Sequence, residues 1–260
     1  IVCQFGLEVY AYEPVTSLVR VETDGFAVRT QTSDGERICR ARSVVLAIGD
    51  MAGPRLLDIP GESLPHVSHY FEEPHKYFQR RVLIVGGKNS AVEAALRCHH
   101  VGADVTVSYR RGQFDPKSVK NWILPEIEGR IKRGEIHTHF STQPVSIQPT
   151  HVTLASVAGG DTFNVQADFV LLLVGYVADM RLFRMAGARL QSPSDAPVLR
   201  EQTMETSVPG LYAAGAAVAG TQQSYKLFIE NCHIHVGRIV AALTGAPPPT
   251  TPPPLEQLET

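Results

Sequence analysis

The residues best equipped for chemistry lie in Val82-Leu83-Ile84-Val85-Gly86-Gly87-Lys88-Asn89-Ser90-Ala91. This apolar run enters a glycine turn and continues into Val92, Ala94, Ala95 and Leu96 at helical spacing. A strand, a glycine turn and a helix start aim backbone N–H groups and the helix's positive end at one place, where a pyrophosphate binds. The run follows G-x-G-x-x-A at Gly86, Lys88 and Ala91, with lysine where a second glycine normally lets the backbone approach the pyrophosphate. Gly86, Gly87, Lys88, Asn89 and Ser90 are therefore the candidate pyrophosphate residues. The following strand, Ala103 to Tyr109, ends in Arg110-Arg111. A carboxylate at that strand end suits the ribose 2′-hydroxyl of NAD, whereas an arginine pair suits the 2′-phosphate of NADP, so NADPH is the expected nucleotide. The plainer alternative is that Arg110 and Arg111 are a solvated strand end.

Two further apolar runs end in glycine, Val44-Val45-Leu46-Ala47-Ile48 before Gly49 and Phe169-Val170-Leu171-Leu172-Leu173-Val174 before Gly175. A turn-and-strand unit, Val208 to Gly215, precedes a helix expected over Lys226 to Leu243. The four cysteines, Cys3, Cys39, Cys98 and Cys232, include no CxxC pair, which fits free thiols in a reducing, cytoplasmic setting. Cys232, beside His233 in a helical stretch, reads as a small buried residue rather than a redox centre. Cys98-His99-His100 and His233 with His235 suggest no metal, because neighbouring residues on a helix point in different directions. No catalytic residue is assigned.

The elements that must position these residues fall into four stretches. Residues 1–74 contain a strand-like Leu7 to Val15 and a meander of three strands, SLVRVETD, FAVRTQTS and ICRARSVVLAIG, punctuated by Asp24-Gly25 and Asp34-Gly35. Within them, residues 50–79 are rich in Pro, Gly and His and read as a connection. Residues 75–176 hold the glycine-turn unit, a helix over Asn121 to Arg133 interrupted by Pro125, and alternating strands from 136 to 173. Residues 177–245 carry the late glycine unit and its helix, and 246–260 form a proline-rich tail. A formal net charge of −2, from 24 basic and 26 acidic residues well mixed along the chain, gives no electrostatic footprint for nucleic acid or anionic lipid. No apolar run reaches the roughly 18 residues of a membrane span, and no signal peptide is expected.

HYFEEPHKYF (69–78), VLIVGGKNSAVEAAL (82–96), TMETSVPGLYAAG (203–215) and FIEN (228–231) together resemble the thioredoxin-reductase-like superfamily. Within it the sequence is similar to the YpdA-type family of bacillithiol disulfide reductases, whose pattern Lys88 fits. The resemblance implies an α/β two-dinucleotide-binding flavoprotein fold, Rossmann-like and three-layered, with FAD and NADPH as cofactors. Flavin contacts are implied at Gly49, Gly175, Gly215, Ala216 and Ile229. The implied activity takes hydride from NADPH onto FAD and passes electrons to a small-molecule or protein disulfide, such as bacillithiol disulfide, in a homodimer. In that family the FAD pyrophosphate rests on an N-terminal G-x-G-x-x-G next to a cysteine. Neither is present from Ile1 onward, so the first βαβ unit of the FAD domain and that cysteine are expected either upstream of Ile1 or lost. Ala216 stands where the superfamily commonly has aspartate, and Glu230, Asn231 and His235 keep part of the family's ENGRxHG while their neighbours differ. Two other readings stay open: a ferredoxin or flavodoxin–NADP reductase-like enzyme, which needs no active-site cysteine, and a non-catalytic NADPH-binding module.

Overall fold

The computed structural model describes residues 2–21, 25–222, 227 and 229–247, the side chains of Ile229 and Glu230 excepted. The expected helix start at Lys226 and the tail beyond residue 247 lie outside the described residues. Two compact units emerge, one built from residues 1–53 and 176–254, the other on residues 54–175. Residues 54–74, placed by sequence with the first stretch, thus group with the glycine-turn unit.

In chain order, the first segment holds α1 (Val2–Phe5), β1 (Val15–Arg20), β2 (Phe26–Thr32), β3 (Gly35–Ala41) and β4 (Val44–Leu46). After β5 (Gly53–Pro54) come β6 (Val67–Ser68), β7 (Arg81–Val85), α2 (Asn89–His100), β8 (Asp104–Tyr109), α3 (Leu124–Lys132) and β9 (His137–Phe140). The strands β10 (Thr142–Ile147), β11 (His151–Ser156), β12 (Thr162–Gln166) and β13 (Phe169–Leu172) complete that unit. The chain then continues through β14 (Tyr176–Val177), α4 (Arg181–Met185), β15 (Leu190–Gln191), β16 (Ala196–Pro197), β17 (Leu199–Arg200), β18 (Glu205–Thr206), β19 (Leu211–Ala213) and α5 (Ile229–Thr244).

The unit on residues 54–175 is built around a five-stranded parallel sheet in the order β6-β13-β7-β8-β9. Val82 to Val85 of β7 and all of β13 are apolar because both faces are covered. Val82 and Ile84 of β7 and Val105 and Val107 of β8 pack with Ala91, Ala95 and Leu96 of α2 and Ile127 of α3. The alternate residues Leu83 and Val85, with Val170 and Leu172 of β13, pack instead on Ile147, Val152 and Leu154 of the antiparallel β10-β11-β12 sheet. Gly102 ends α2 with a positive φ of 87°, a left-handed stop, and donates to the His99 carbonyl at 2.9 Å. Pro125 does not interrupt its helix. It lies in the first turn of α3, where a missing N–H costs nothing.

In the other unit, β1-β2-β3 form the expected antiparallel meander, but two of its boundaries differ. Residues 7–14 are not strand, and β1 starts only at Val15. The long third strand breaks at Arg42-Ser43: β3 ends opposite Phe26, whereas β4 joins β19 in parallel, beginning with Val44 N–H to the Gly210 carbonyl at 2.9 Å. Because β4 lies at the edge of the β17-β18-β19-β4 sheet, Val45 is 42% exposed rather than buried. Leu18, Phe26, Leu46, Met180, Phe183 and Leu211 form this unit's core.

The start of β13 is locked to the start of β7 by Asp168. Its carboxylate accepts the Arg81 backbone N–H at 2.9 Å and the Arg81 guanidinium Nη2 at 2.6 Å. These two bonds from Arg81 hold the carboxyl down to about 2. A depressed carboxylate stabilises the fold fully above its unfolded value near 4, and that contribution is lost as pH falls through about 2. With the pair partly solvated, Asp168→Asn is expected to cost about 1 kcal/mol at pH 7. In urea titrations, the stability difference between parent and variant shrinks toward zero between pH 4 and 2; a difference independent of pH refutes the assignment.

Candidate functional site

The carboxyl ends of β13, β7 and β8 lie side by side, and the sequence-predicted residues extend from two of them. Past β7, Gly86 adopts a φ of 145°, and a Cβ there would collide with the Leu173 carbonyl and stand 2.9 Å from Ala91 Cβ. A Cβ on Gly87 would enter the ring of Tyr109 at the end of β8. Both glycines are therefore required by packing of the turn, not by flexibility alone. Lys88 is the N-cap of α2 and, having no acceptor, caps no amide with its side chain. Ala91 and Val92 both donate to the Lys88 carbonyl at 3.0 Å, which leaves the amides at the very start of the helix for a ligand. Ser90 is exposed beside them, but Asn89 is partly committed: its Oδ1 accepts the Lys120 backbone N–H at 2.7 Å. Asn89 therefore also holds the 115–123 loop against the helix start.

Past β8, Arg110 and Arg111 are exposed. Arg111 Nη1 contacts Asp115 at 3.3 Å, and Asp115 is itself fixed by the Lys117 amide at 3.0 Å and the Ser118 hydroxyl at 3.2 Å. A pocket of about 260 Å³ lies along residues 111–116, floored by Phe114, which stacks on Tyr109 with centroids 6.0 Å apart. Burial, then the charges of Arg111, Arg110 and Arg55, push the Lys88 ammonium below the usual lysine range, against the pull of Asp115. Arg55 was not among the sequence candidates. It belongs to a stretch without periodicity, and its position is fixed by a contact distant in sequence: its backbone N–H donates to the Gly175 carbonyl at 2.9 Å. Gly175, with a φ of 108°, follows β13 and so stands beside the nucleotide turn, in a different unit from Gly49 and Gly215.

Gly49 and Gly215 are brought together by the parallel β4–β19 pair, continued by Ala214 N–H to the Leu46 carbonyl at 3.1 Å. Each has a φ of 69°, and a Cβ at either would meet nothing within 4 Å, so open space adjoins both strand ends. Gly215 begins a short 3₁₀ turn, Gly215–Ala219, that includes Ala216 and has no side-chain cap. Next to Gly49, the buried Asp50 accepts from Gln222 Nε2 at 2.8 Å, while Gln222 Oε1 accepts the Leu227 N–H at 3.1 Å. Leu227 immediately precedes the start of α5, where Ile229 is the first residue; the Ile229 and Glu230 side chains lie outside the description. Further along α5, His235 is 5% exposed, and its Nδ1 has no hydrogen-bond partner among the described residues. Burial, then Arg238 and His233, push its imidazole below the usual range. A buried unpartnered nitrogen and two open glycine strand ends fit the back half of a flavin site. Cys232 is buried, as its sequence context suggests.

The family model for pyridine nucleotide-disulphide oxidoreductases matches residues 1–215. Bacilliredoxin reductase Bdr of Bacillus subtilis is 38% identical over 199 residues, covering 76% of this chain and 60% of its own length. A ferredoxin–NADP reductase of Ignicoccus hospitalis is 27% identical over 217 residues, with 81% of this chain and 66% of the relative covered. Among solved structures, the bacillithiol disulfide reductase Bdr (YpdA) of Bacillus cereus superposes with a TM-score of 0.87 at 34% identity, over 95% of this chain and 75% of that one. A thioredoxin reductase of Lactococcus lactis, at 23% identity and a TM-score of 0.69, shares the fold. The chain spans about 60% of the length of the first of these curated relatives. A glycine-turn nucleotide site and a second pair of glycine strand ends, on a chain matched by the family model over residues 1–215, have one conclusion: the chain belongs to the pyridine nucleotide-disulphide oxidoreductase family.

Proposed function

We propose that this chain is the larger part of an NADPH-dependent, FAD-containing oxidoreductase that passes electrons to a disulfide, that of a low-molecular-weight thiol such as bacillithiol disulfide, in a cytoplasmic homodimer. The observation that carries the reading is the uncapped start of α2, flanked by Lys88, Arg110 and Arg111, in a chain 38% identical to Bdr over 199 residues. Bound NADPH and FAD supply the hydride and electron-pair chemistry themselves.

The chain's own residues bind and orient. Gly86 and Gly87 bring the turn close enough for the amides of Lys88, Asn89 and Ser90 to meet the pyrophosphate. Arg110 and Arg111 present forked donors to the 2′-phosphate, with Asp115 fixing the angle of Arg111. Gly49, Gly215 and Ala216 border the open strand ends for the flavin. The similarity to a ferredoxin–NADP reductase is lower, 27% against 38% identity, which leaves the disulfide reading the better supported one.

The full-length protein is expected to be yellow and to be bleached anaerobically by NADPH in preference to NADH, then reoxidised by bacillithiol disulfide. Reoxidation by an oxidised one-electron carrier such as oxidised ferredoxin, but not by disulfides, overturns the acceptor. Arg110→Ala with Arg111→Ala is expected to weaken NADP⁺ about 10- to 100-fold and leave NAD⁺ unchanged; equal losses for both remove the 2′-phosphate assignment. Gly87→Ala, which must displace the Tyr109 ring, is expected to lower stability by about 1–3 kcal/mol and abolish nucleotide binding. Wild-type affinity in that variant contradicts the close-approach argument.

A further inference from the structure

Arg55 has no place in the site as the sequence presents it, yet the fold delivers it to the glycine turn from the opposite side to Arg110 and Arg111. In the parallel sheet, β7 is the first long strand; the chain leaves it for β8 and β9 on one side and returns to β13 on the other. The gap between β7 and β13 is the point where the strand order reverses, and a dinucleotide lies across such a point. With the 2′-phosphate at the end of β8, the adenosine half is on that side and the nicotinamide half extends toward β13. Leu173, just past β13, crowds Gly86, and Gly175 two residues later accepts the Arg55 N–H at 2.9 Å.

The segment carrying Arg55 is rigidly held. The Glu62 carboxylate accepts the N–H groups of Leu57 at 2.9 Å and Asp58 at 2.7 Å, together with His69 Nε2 at 2.9 Å. Gly61, at a φ of 86°, is pressed so closely to the Ile147 carbonyl that a Cβ there would collide with it. Pro60 accepts the Ile147 N–H at 2.8 Å. Burial raises the Glu62 carboxyl, but its bonds from His69 and the loop amides outweigh that and keep it below the usual range, ionised at neutral pH. The half-buried Arg55 therefore extends from a pinned loop, and its charge acts on Lys88 together with Arg110 and Arg111. Among the described residues, neither Arg55 nor Arg110 is paired with a carboxylate. Like charges gathered around one turn repel unless an anion lies among them.

We propose that Arg55 is a binding residue for the nicotinamide-side phosphate of the dinucleotide, completing from the β13 side a cation set that Arg110 and Arg111 close from the β8 side. The inference rests on the reading of this unit as a nucleotide site. It gives the two groups of cations different jobs: Arg110 and Arg111 select the 2′-phosphate, and Arg55 grips what NADP and NAD share.

Equilibrium binding of NADP⁺, NAD⁺ and adenosine 2′,5′-bisphosphate to the full-length protein separates these roles, since the bisphosphate lacks the nicotinamide-side phosphate. Arg55→Ala is expected to weaken NADP⁺ and NAD⁺ each about tenfold while leaving the bisphosphate within about twofold. Arg55→Lys is expected to recover part of the loss, and the thermal midpoint of both variants to match the parent's. Unchanged dinucleotide binding in Arg55→Ala overturns the proposal. So does an equal loss for the bisphosphate, which would make Arg55 a source of general field. Arg110→Ala is read in parallel: if it fails to spare NAD⁺, the 2′-phosphate reading fails while the Arg55 result still stands by itself. A parent protein that binds none of the three ligands overturns both.

Discussion

The unit on residues 54–175 depends on a steric limit at the end of β7. Three strand ends come together there with too little room for a methyl group: Gly86 against the Leu173 carbonyl, Gly87 against the Tyr109 ring. Any side chain at either position must push β13 or β8 away. Because that room is absent, the first turn of α2 lies directly over the sheet edge, and its amides and the cations of neighbouring strands address one volume. Lysine at the third position of the turn is tolerated because it is the N-cap, with an extended backbone that any residue adopts, and it adds a charge beside Arg55, Arg110 and Arg111. The apparent defect in the glycine pattern is thus compatible with the geometry, since the crowding falls on Gly86 and Gly87.

Much of this was legible in the sequence, for a definable reason. The runs Val82 to Val85 and Phe169 to Leu172 are apolar at every position because helices cover one face and the β10-β11-β12 sheet covers the other. Such a pattern, followed by two glycines and a helix-spaced alanine series, has few alternatives. Local pattern failed where pairing decided the outcome. The run from Ile38 to Gly49 looks like one strand, but its two halves belong to different sheets, and the partner that captures Val44 to Leu46 lies at Leu211 to Ala213. Pro125 was misread because a proline inside a helical pattern and a proline in a first turn differ only by where the helix begins.

Site residues divide along the same line. Gly86, Gly87 and Lys88 are contiguous and carry their own context. Arg55 and Gln222 do not: one depends on Gly175 and a loop pinned by Glu62, the other on Asp50, far away in the chain. No periodicity announces a residue whose position is set by a distant carbonyl. Gly175 shows the converse. Its position at the end of an apolar strand was plain, but which of two glycine-lined sites it adjoins depends on sheet membership, and the structure puts it with Gly86.

The parallel pairing of β4 with β19 also has a bearing on how the chain is made. Residues 54–175 form one uninterrupted stretch and can organise as soon as they leave the ribosome, whereas β4 precedes that stretch and its partner follows it. During synthesis β4 therefore waits for β19 for the time it takes to translate an entire domain. The late GLYAAG segment supplies both the strand that β4 waits for and the glycine that stands beside Gly49, so a chain stalled before residue 211 has Gly86, Gly87, Arg110 and Arg111 in hand and no second glycine pair.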